Sequence, residues 1–135
     1  MTAPARDAHT GDFDLSHVAH RRTVRLTTTG RRTGQPRTVK VWFVVTGPRE
    51  VAVHHVQGDS AHWYRNLLRN PGVMVDFGDG PLRGRAQVIE SRQEIQQIVR
   101  RIRRKYPLAW LFQLFGTSRA VAARIEVEPP QAAES

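Results

Sequence analysis

Alternation of apolar and polar residues predicts most of the strands in this sequence. Residues 22–29 place Val24, Leu26 and Thr28 on one side, which is typical of a strand with one buried face. A second strand is predicted over residues 38–45, and its alternate apolar residues face one way: Val39, Val41, Phe43 and Val45. The same alternation predicts four more strands, over residues 51–56, 73–77, 82–89 and 120–127.

Two other segments have the periodicity of helices. A short helix is predicted over residues 61–69, before the stop at residues 70–72. A longer helix begins after Ser91, because Ser91 and Glu94 have the spacing of a capping box. It continues with a stripe of apolar residues at helical spacing: Ile95, Ile98, Val99 and Ile102. A further apolar segment, which could form a third helix, follows over residues 108–115.

The order of these elements is β-β-β-α-β-β-α-(α)-β, which predicts a mainly β fold of the α+β class. About six short antiparallel strands with two to three helices suit a closed or nearly closed barrel whose ends the helices cover. Residues 21–128 are expected to form this one domain. Residues 1–20 are expected to be a flexible arm, and residues 129–135 a disordered tail.

Charge is the most unusual property of the composition. The chain of 135 residues has a formal net charge of +9, so it attracts anions. Of its 21 basic residues only Lys40 and Lys105 are lysines, and arginine suits fixed, bidentate contacts with phosphate or carboxylate. The absence of cysteine excludes disulfides and thiolate chemistry. No apolar run is long enough to span a bilayer, and no secretory leader is evident, so a cytoplasmic location is expected.

The turn between the first two predicted strands concentrates groups that bind anions. Residues 30–37 read Gly-Arg-Arg-Thr-Gly-Gln-Pro-Arg, flanked by Thr29 and Thr38. Guanidinium forks, hydroxyls and accessible backbone N–H groups are what a phosphate or a row of carboxylates requires. No Gly-Lys-Ser/Thr follows, which excludes the phosphate loop of nucleotide hydrolases. The alternative is an arginine-rich turn that only faces solvent.

Two motifs in order make the sequence similar to the deazaflavin-dependent nitroreductase and quinone reductase family. They are LTTTGRRTGQPRTVKVWFV at residues 26–44 and HWYRNLLRNPGVMVDFG at residues 62–78. The resemblance covers residues 22–127 and implies an antiparallel split β-barrel that binds coenzyme F-420, an 8-hydroxy-5-deazaflavin. It implies an oxidoreductase that transfers a hydride from the reduced cofactor to a quinone, enone or nitroaromatic acceptor.

The resemblance also implies the site residues. The arginine-rich loop is implied to grip the phosphate and the oligoglutamate tail, the second strand to line the pocket, and the third strand and the following helix to hold the ring. The implied cofactor-binding residues are Arg31, Arg32, Thr33, Arg37, Thr38, Val39, Lys40, Val41, Trp42, Val53, His54, His55, Val56, His62, Trp63, Tyr64, Arg65 and Asn66. The acceptor is expected to be bordered by Tyr106, Trp110 and Phe112. The catalytic candidates are His54, His55 and Tyr106.

The sequence departs from the family pattern at two places. Where many members carry a serine and a lysine near the end of the third strand, this chain has His54-His55-Val56. After Tyr106-Pro107 the nitroreductases present tyrosines, whereas residues 108–112 here are mostly apolar. Nitro reduction is therefore less well supported than cofactor binding.

Other functions stay open at this stage. A split barrel could instead bind FMN, or haem at His54 or His55, or hold F-420, a lipid or a nucleic acid without turnover. A metal site is disfavoured, because adjacent strand residues such as His54 and His55 point to opposite faces. The basic residues 100–105 beside the apolar residues 109–115 are typical of a solvated helix end next to a core-packing or dimer-packing segment. The alternative is a surface that contacts an anionic membrane or admits a lipophilic substrate. A nucleic acid is disfavoured by the lack of a recognisable motif, and a homodimer is compatible with the resemblance.

Overall fold

The computed structural model describes residues 13–55, 61–106 and 119–130. In these ranges a 3-10 turn, Ser16–Val18, precedes seven strands and two α-helices. In chain order they are β1 (Val24–Thr29), β2 (Pro36–Val41), β3 (Phe43–Gly47), β4 (Glu50–His55), α1 (His62–Arg69), β5 (Gly72–Asp76), β6 (Pro81–Val88), α2 (Arg92–Lys105) and β7 (Val121–Val127). The apolar segment over residues 108–115 lies outside the described residues. Neither α1 nor α2 is long and apolar enough to cross a membrane.

The strands form one antiparallel sheet in the order β2-β1-β5-β6-β7-β4-β3. The strands β2 and β3 lie at opposite edges of this sheet, although only Trp42 separates them along the chain. The sheet therefore curls into a half-barrel whose two edges are joined by one continuous segment. This confirms the mainly β split-barrel prediction. The prediction of a single strand over residues 38–45 is wrong. The segment divides at Trp42, and its two halves pair with different strands, β2 with β1 and β3 with β4.

Each face of the curled sheet carries its own apolar cluster. The inner cluster fills the half-barrel and includes Leu26, Phe43 and Val53 together with Trp63 from α1. The outer cluster lies beneath α2 and includes Ala52. Alternate residues of β4 thus enter different clusters, as the pleat of a strand requires.

The helix α2 confirms its predicted start and its buried stripe. The backbone N–H of Glu94 donates to Ser91 Oγ over 3.2 Å, which satisfies one of the free N–H groups of the first turn. The four apolar residues of the stripe are all buried in the outer cluster: Ile95, Ile98, Val99 and Ile102. At the other end Lys105 Nζ donates to the carbonyl of Phe43 over 2.9 Å, and burial lowers the Lys105 pKa to about 8.

The segment before β1 is part of the packed domain. Leu15 and Val18 belong to the inner cluster, and Leu15 is 0% exposed. The Leu15 backbone N–H donates to the carbonyl of Pro48 over 2.8 Å. The packed domain therefore includes residues that the sequence analysis assigned to the N-terminal arm.

Candidate functional site

Asn66 on α1 fixes the start of the arginine-rich loop. Its side chain is 3% exposed, and its Nδ2 donates to Thr28 Oγ1 over 3.0 Å. Its Oδ1 accepts from the backbone N–H of Arg31 over 3.1 Å and from Arg31 Nη1 over 2.9 Å. A buried amide with this many partners is costly to displace, so it ties α1, β1 and the loop together.

The loop itself is a closed turn that depends on two glycines. The Gly30 N–H donates to the carbonyl of Gln35 over 2.8 Å, and the Gly34 N–H to the carbonyl of Gly30 over 2.9 Å. Gly34 has φ of 74°, which glycine adopts without steric cost. A Cβ on Gly30 would lie 2.9 Å from Thr33 Oγ1 and 3.1 Å from the Gln35 carbonyl. The turn is therefore closed by tight backbone packing.

An open groove of about 620 Å³ lies between this loop, β2 and the beginning of α1. Its lining residues are Gly30, Arg31, Arg32, Thr33, Pro36, Arg37, Thr38, Val39, His62 and Asn66. The lining contains three arginines and no acidic residue. Within the part of the chain that the structure describes, none of these arginines forms a salt bridge, so their charges are available to a ligand.

The geometry of the groove suits a ligand with several negative charges and a flat apolar part. Its volume falls in the range of about 300–1,000 Å³ that is common for ligand clefts. Arg32 and Arg37 are exposed at its mouth, where they can bind phosphate or carboxylate oxygens bidentately. Val39, which is 39% exposed, gives one wall an apolar surface. The phosphate and carboxylates of coenzyme F-420 fit this set of donors.

The structure brings eight of the predicted cofactor-binding residues into this groove: Arg31, Arg32, Thr33, Arg37, Thr38, Val39, His62 and Asn66. Two others, Val53 and Trp63, are buried in the inner cluster. The remaining described candidates do not line the groove; they are Lys40, Val41, Trp42, His54, His55, Tyr64 and Arg65. Val56, Trp110 and Phe112 lie outside the described residues.

The two histidines at the end of β4 lie on opposite faces. His54 follows the face of Ala52, which packs beneath α2, whereas His55 follows the face of Val53 inside the half-barrel. Burial, with the nearby His55 and Arg103, lowers the His54 pKa to about 4, and its Nδ1 is buried without a hydrogen-bond partner. Burial also lowers the pKa of His55. The described residues contain no group of three histidines or carboxylates that could hold a metal ion.

Tyr106 joins the end of α2 to the break between β2 and β3. Its hydroxyl donates to the carbonyl of Arg22 over 2.6 Å and accepts from the Phe43 N–H over 3.2 Å. Its ring stacks on Trp42 with 4.4 Å between centroids and 7° between planes. Burial raises the Tyr106 pKa. The hydroxyl is thus engaged by backbone groups and helps to hold the curled sheet together.

Thr28 is a residue of the site that sequence reasoning missed. It is 2% exposed, and its hydroxyl is the partner that orients the Asn66 amide. One signal was present, because a threonine continues the buried side of the first strand after Val24 and Leu26. A hydroxyl at such a position requires a polar partner.

The sequence also matches a known protein family. The sequence profile of the F420H2-dependent quinone reductase family matches residues 14–128 (F420H2 is the reduced form of coenzyme F-420). A solved F420-H2 dependent reductase, FDR-A, is 26% identical with a TM-score of 0.58, over 77% of this chain and 93% of that protein.

Two more solved structures share the fold at lower identity. A conserved hypothetical protein from Mycobacterium tuberculosis is 22% identical with a TM-score of 0.66, over 91% of this chain and 81% of that one. The haem storage protein HutZ from Vibrio cholerae is 18% identical with a TM-score of 0.64, over 86% of this chain and 89% of that one. These two likenesses show the shared fold alone. Because the family profile matches almost the whole described chain, this protein belongs to the F420H2-dependent quinone reductase family and is an oxidoreductase that depends on coenzyme F-420.

Proposed function

We propose that this protein holds coenzyme F-420 in the groove beside the arginine-rich loop and reduces a quinone. The observation that carries the proposal is the fixed position of Arg31 on Asn66, in a groove with three arginines and no acidic residue. When bound, the reduced deazaflavin supplies a hydride equivalent. The family match supports a quinone as acceptor, and enones and nitroaromatics are the other acceptors to be tested.

The loop residues have distinct tasks in this proposal. Arg32 and Arg37 are exposed and bind the phosphate and the first carboxylates of the tail. Arg31 keeps a fixed guanidinium direction because Asn66 Oδ1 accepts from both its backbone and its side chain. A donor that is oriented before binding loses less entropy when the ligand arrives.

The walls of the groove position the ligand and limit its contact with water. Val39 and Pro36 supply apolar surface, and His62 closes the end nearest α1. His62 Nδ1 lies 3.5 Å from Arg31 Nη2. Holding two reactants at a fixed distance and direction is itself a large part of catalysis. We therefore propose that these residues orient the cofactor.

Reduction of a quinone to a hydroquinone consumes one hydride equivalent and one proton. Of the three catalytic candidates, His55 lies on the strand face of Val53 and is directed to the interior of the half-barrel. His54 and Tyr106 lie on the α2 side of the sheet. We therefore propose His55 as the residue to test first for a role near the acceptor.

The proposal also extends to the surroundings of the enzyme. Arg100 and Arg104 are exposed on α2, and such a basic helix surface attracts anionic lipids. A cytoplasmic enzyme that touches the membrane at this helix would meet lipophilic quinones there. We also propose that the protein forms a homodimer. Sedimentation with vesicles of anionic and of neutral lipid tests the first point, and analytical ultracentrifugation tests the second.

Titration with coenzyme F-420, followed by its own fluorescence, is the test of the central proposal. We expect saturable binding to the purified protein, and oxidation of the reduced cofactor when a soluble quinone is added. An absorption spectrum of the purified protein checks for bound FMN or haem. Saturable binding of FMN or haem without binding of F-420 would overturn the proposal.

A further inference from the structure

A second basic depression lies on the outer face of the sheet, next to the groove. Its volume is about 410 Å³, and it extends across β1, β5 and β6. Pro36 lines both this depression and the groove. Thr29, which lines the depression, directly precedes Gly30 of the groove. The two cavities therefore meet at the mouth of the arginine-rich loop.

The strand register gives the distance between the groove and the basic part of the depression. Thr38 of the groove pairs with Thr27, and their hydroxyl oxygens are 2.7 Å apart. Thr27 pairs with Met74, and Met74 pairs with Arg83. Three strand spacings separate Thr38 from Arg83, or about 14 Å. An extended chain of a few residues spans this distance.

Two arginines give the depression its charge. Arg83 and Arg85 are both exposed and line it, and neither forms a salt bridge with any carboxylate of the described residues. Glu128 also lines the depression, and its backbone N–H donates to the Arg83 carbonyl over 2.9 Å. Two guanidinium groups against one carboxylate leave a net positive lining, and Glu126, which pairs with Arg85 across β6 and β7, lies outside that lining. The surface therefore favours an anionic chain.

We infer that this depression is an extension of the cofactor site that binds the distal carboxylates of the oligoglutamate tail. The tail leaves the groove past Pro36, crosses the threonine pair of β1 and β2, and ends against Arg83 and Arg85. This inference rests on the proposed function. It makes Arg83 and Arg85 determinants of tail length, because a cofactor with a short tail does not reach them.

The test compares F-420 carrying a long tail with F-420 carrying one or two glutamates. The wild type is expected to bind the long form more tightly. The double variant Arg83→Gln/Arg85→Gln is expected to bind the long form about three- to tenfold more weakly and the short form unchanged. The double variant Arg100→Gln/Arg104→Gln removes the same number of charges from the exposed side of α2, outside both cavities, and is expected to change neither affinity. The advantage of the long tail is expected to shrink as salt is raised.

The possible failures can be told apart. If the wild type binds neither form, the proposed function is wrong and this inference falls with it. If both forms bind equally to the wild type, or if the double variant weakens both equally, only the tail inference is overturned. A second copy of the chain is the competing occupant of this face. A dimer in the ultracentrifuge that the double variant dissociates would therefore also overturn the inference.

Discussion

The side-chain amide of Asn66 holds Arg31 at two points, because its Oδ1 accepts from the backbone N–H and from Nη1 of the same arginine. These residues are 35 positions apart in the sequence. The contact converts a flexible cationic side chain into a fixed one. The direction of the guanidinium in the groove therefore depends on a residue of α1, outside the loop.

Replacing Asn66 tests this dependence. Asn66→Ala leaves the Arg31 N–H and the buried Thr28 hydroxyl without their partner, so we expect a loss of about 1–3 kcal/mol in the free energy of unfolding. We also expect weaker F-420 binding. Urea denaturation and fluorescence titration measure the two effects. Thr28→Val is the control that removes only the hydrogen bond to Asn66 Nδ2 and keeps Asn66 Oδ1 as an acceptor for Arg31, so it should weaken binding less than Asn66→Ala does. Equal affinities for wild type and Asn66→Ala would contradict the idea.

The arginines of the groove are expected to contribute separately to binding. Arg31→Ala, Arg32→Ala and Arg37→Ala should each weaken F-420 binding, by about 1.5–3 kcal/mol for each charge-assisted contact that is made. Arg100→Ala removes the same charge from the exposed side of α2 and should have little effect. Equal losses in all four variants would indicate that only the net charge of the protein matters.

The two loop glycines should respond differently to alanine. Gly34 has φ of 74° but open space around it, so Gly34→Ala should cost about 1–2 kcal/mol from the backbone alone. Gly30→Ala adds a contact of 3.1 Å with the Gln35 carbonyl, so it should also widen the turn and weaken F-420 binding. Gly47→Ala, where the nearest atom would be 3.5 Å away, serves as the control. Denaturation measures the stability of the three variants, and titration measures their affinity for F-420. If Gly30→Ala changed neither quantity, the turn would not be closed by tight backbone packing.

Sequence patterns predicted those parts of the fold that depend on residues close together in the sequence. The stripe of α2 follows from local periodicity, and burial of Ile95 and Ile102 confirms it. The break at Trp42 was missed, because the alternation continues through this residue while the change of partner from β1 to β4 is a long-range event. The partnership of Asn66 with Thr28 spans 38 positions, so no local pattern reveals it. The roles of the site residues stay predictions.

Burial of His54 predicts that stability falls in mild acid. Its pKa is about 4 in the folded chain against about 6.5 when unfolded, so the unfolded state binds more protons between these values. Stability therefore rises with pH across this window and is lost as pH falls from 6.5 toward 4. His54→Gln should flatten the dependence of the unfolding free energy on pH over this range, whereas His20→Gln, at an exposed position, should not. An unchanged slope in His54→Gln would show that His54 is not the group responsible.

Removal of the Tyr106 hydroxyl separates a structural role from a role in acceptor binding. Tyr106→Phe keeps the stacking on Trp42 but loses the hydrogen bond to the Arg22 carbonyl. We expect a loss of about 1–2 kcal/mol in the free energy of unfolding, because that short bond links the segment just before β1 to the end of α2. The KM for a quinone should stay unchanged, since the hydroxyl is fully engaged by backbone groups. A raised KM with unaltered stability would instead place Tyr106 at the acceptor, as the family resemblance implies.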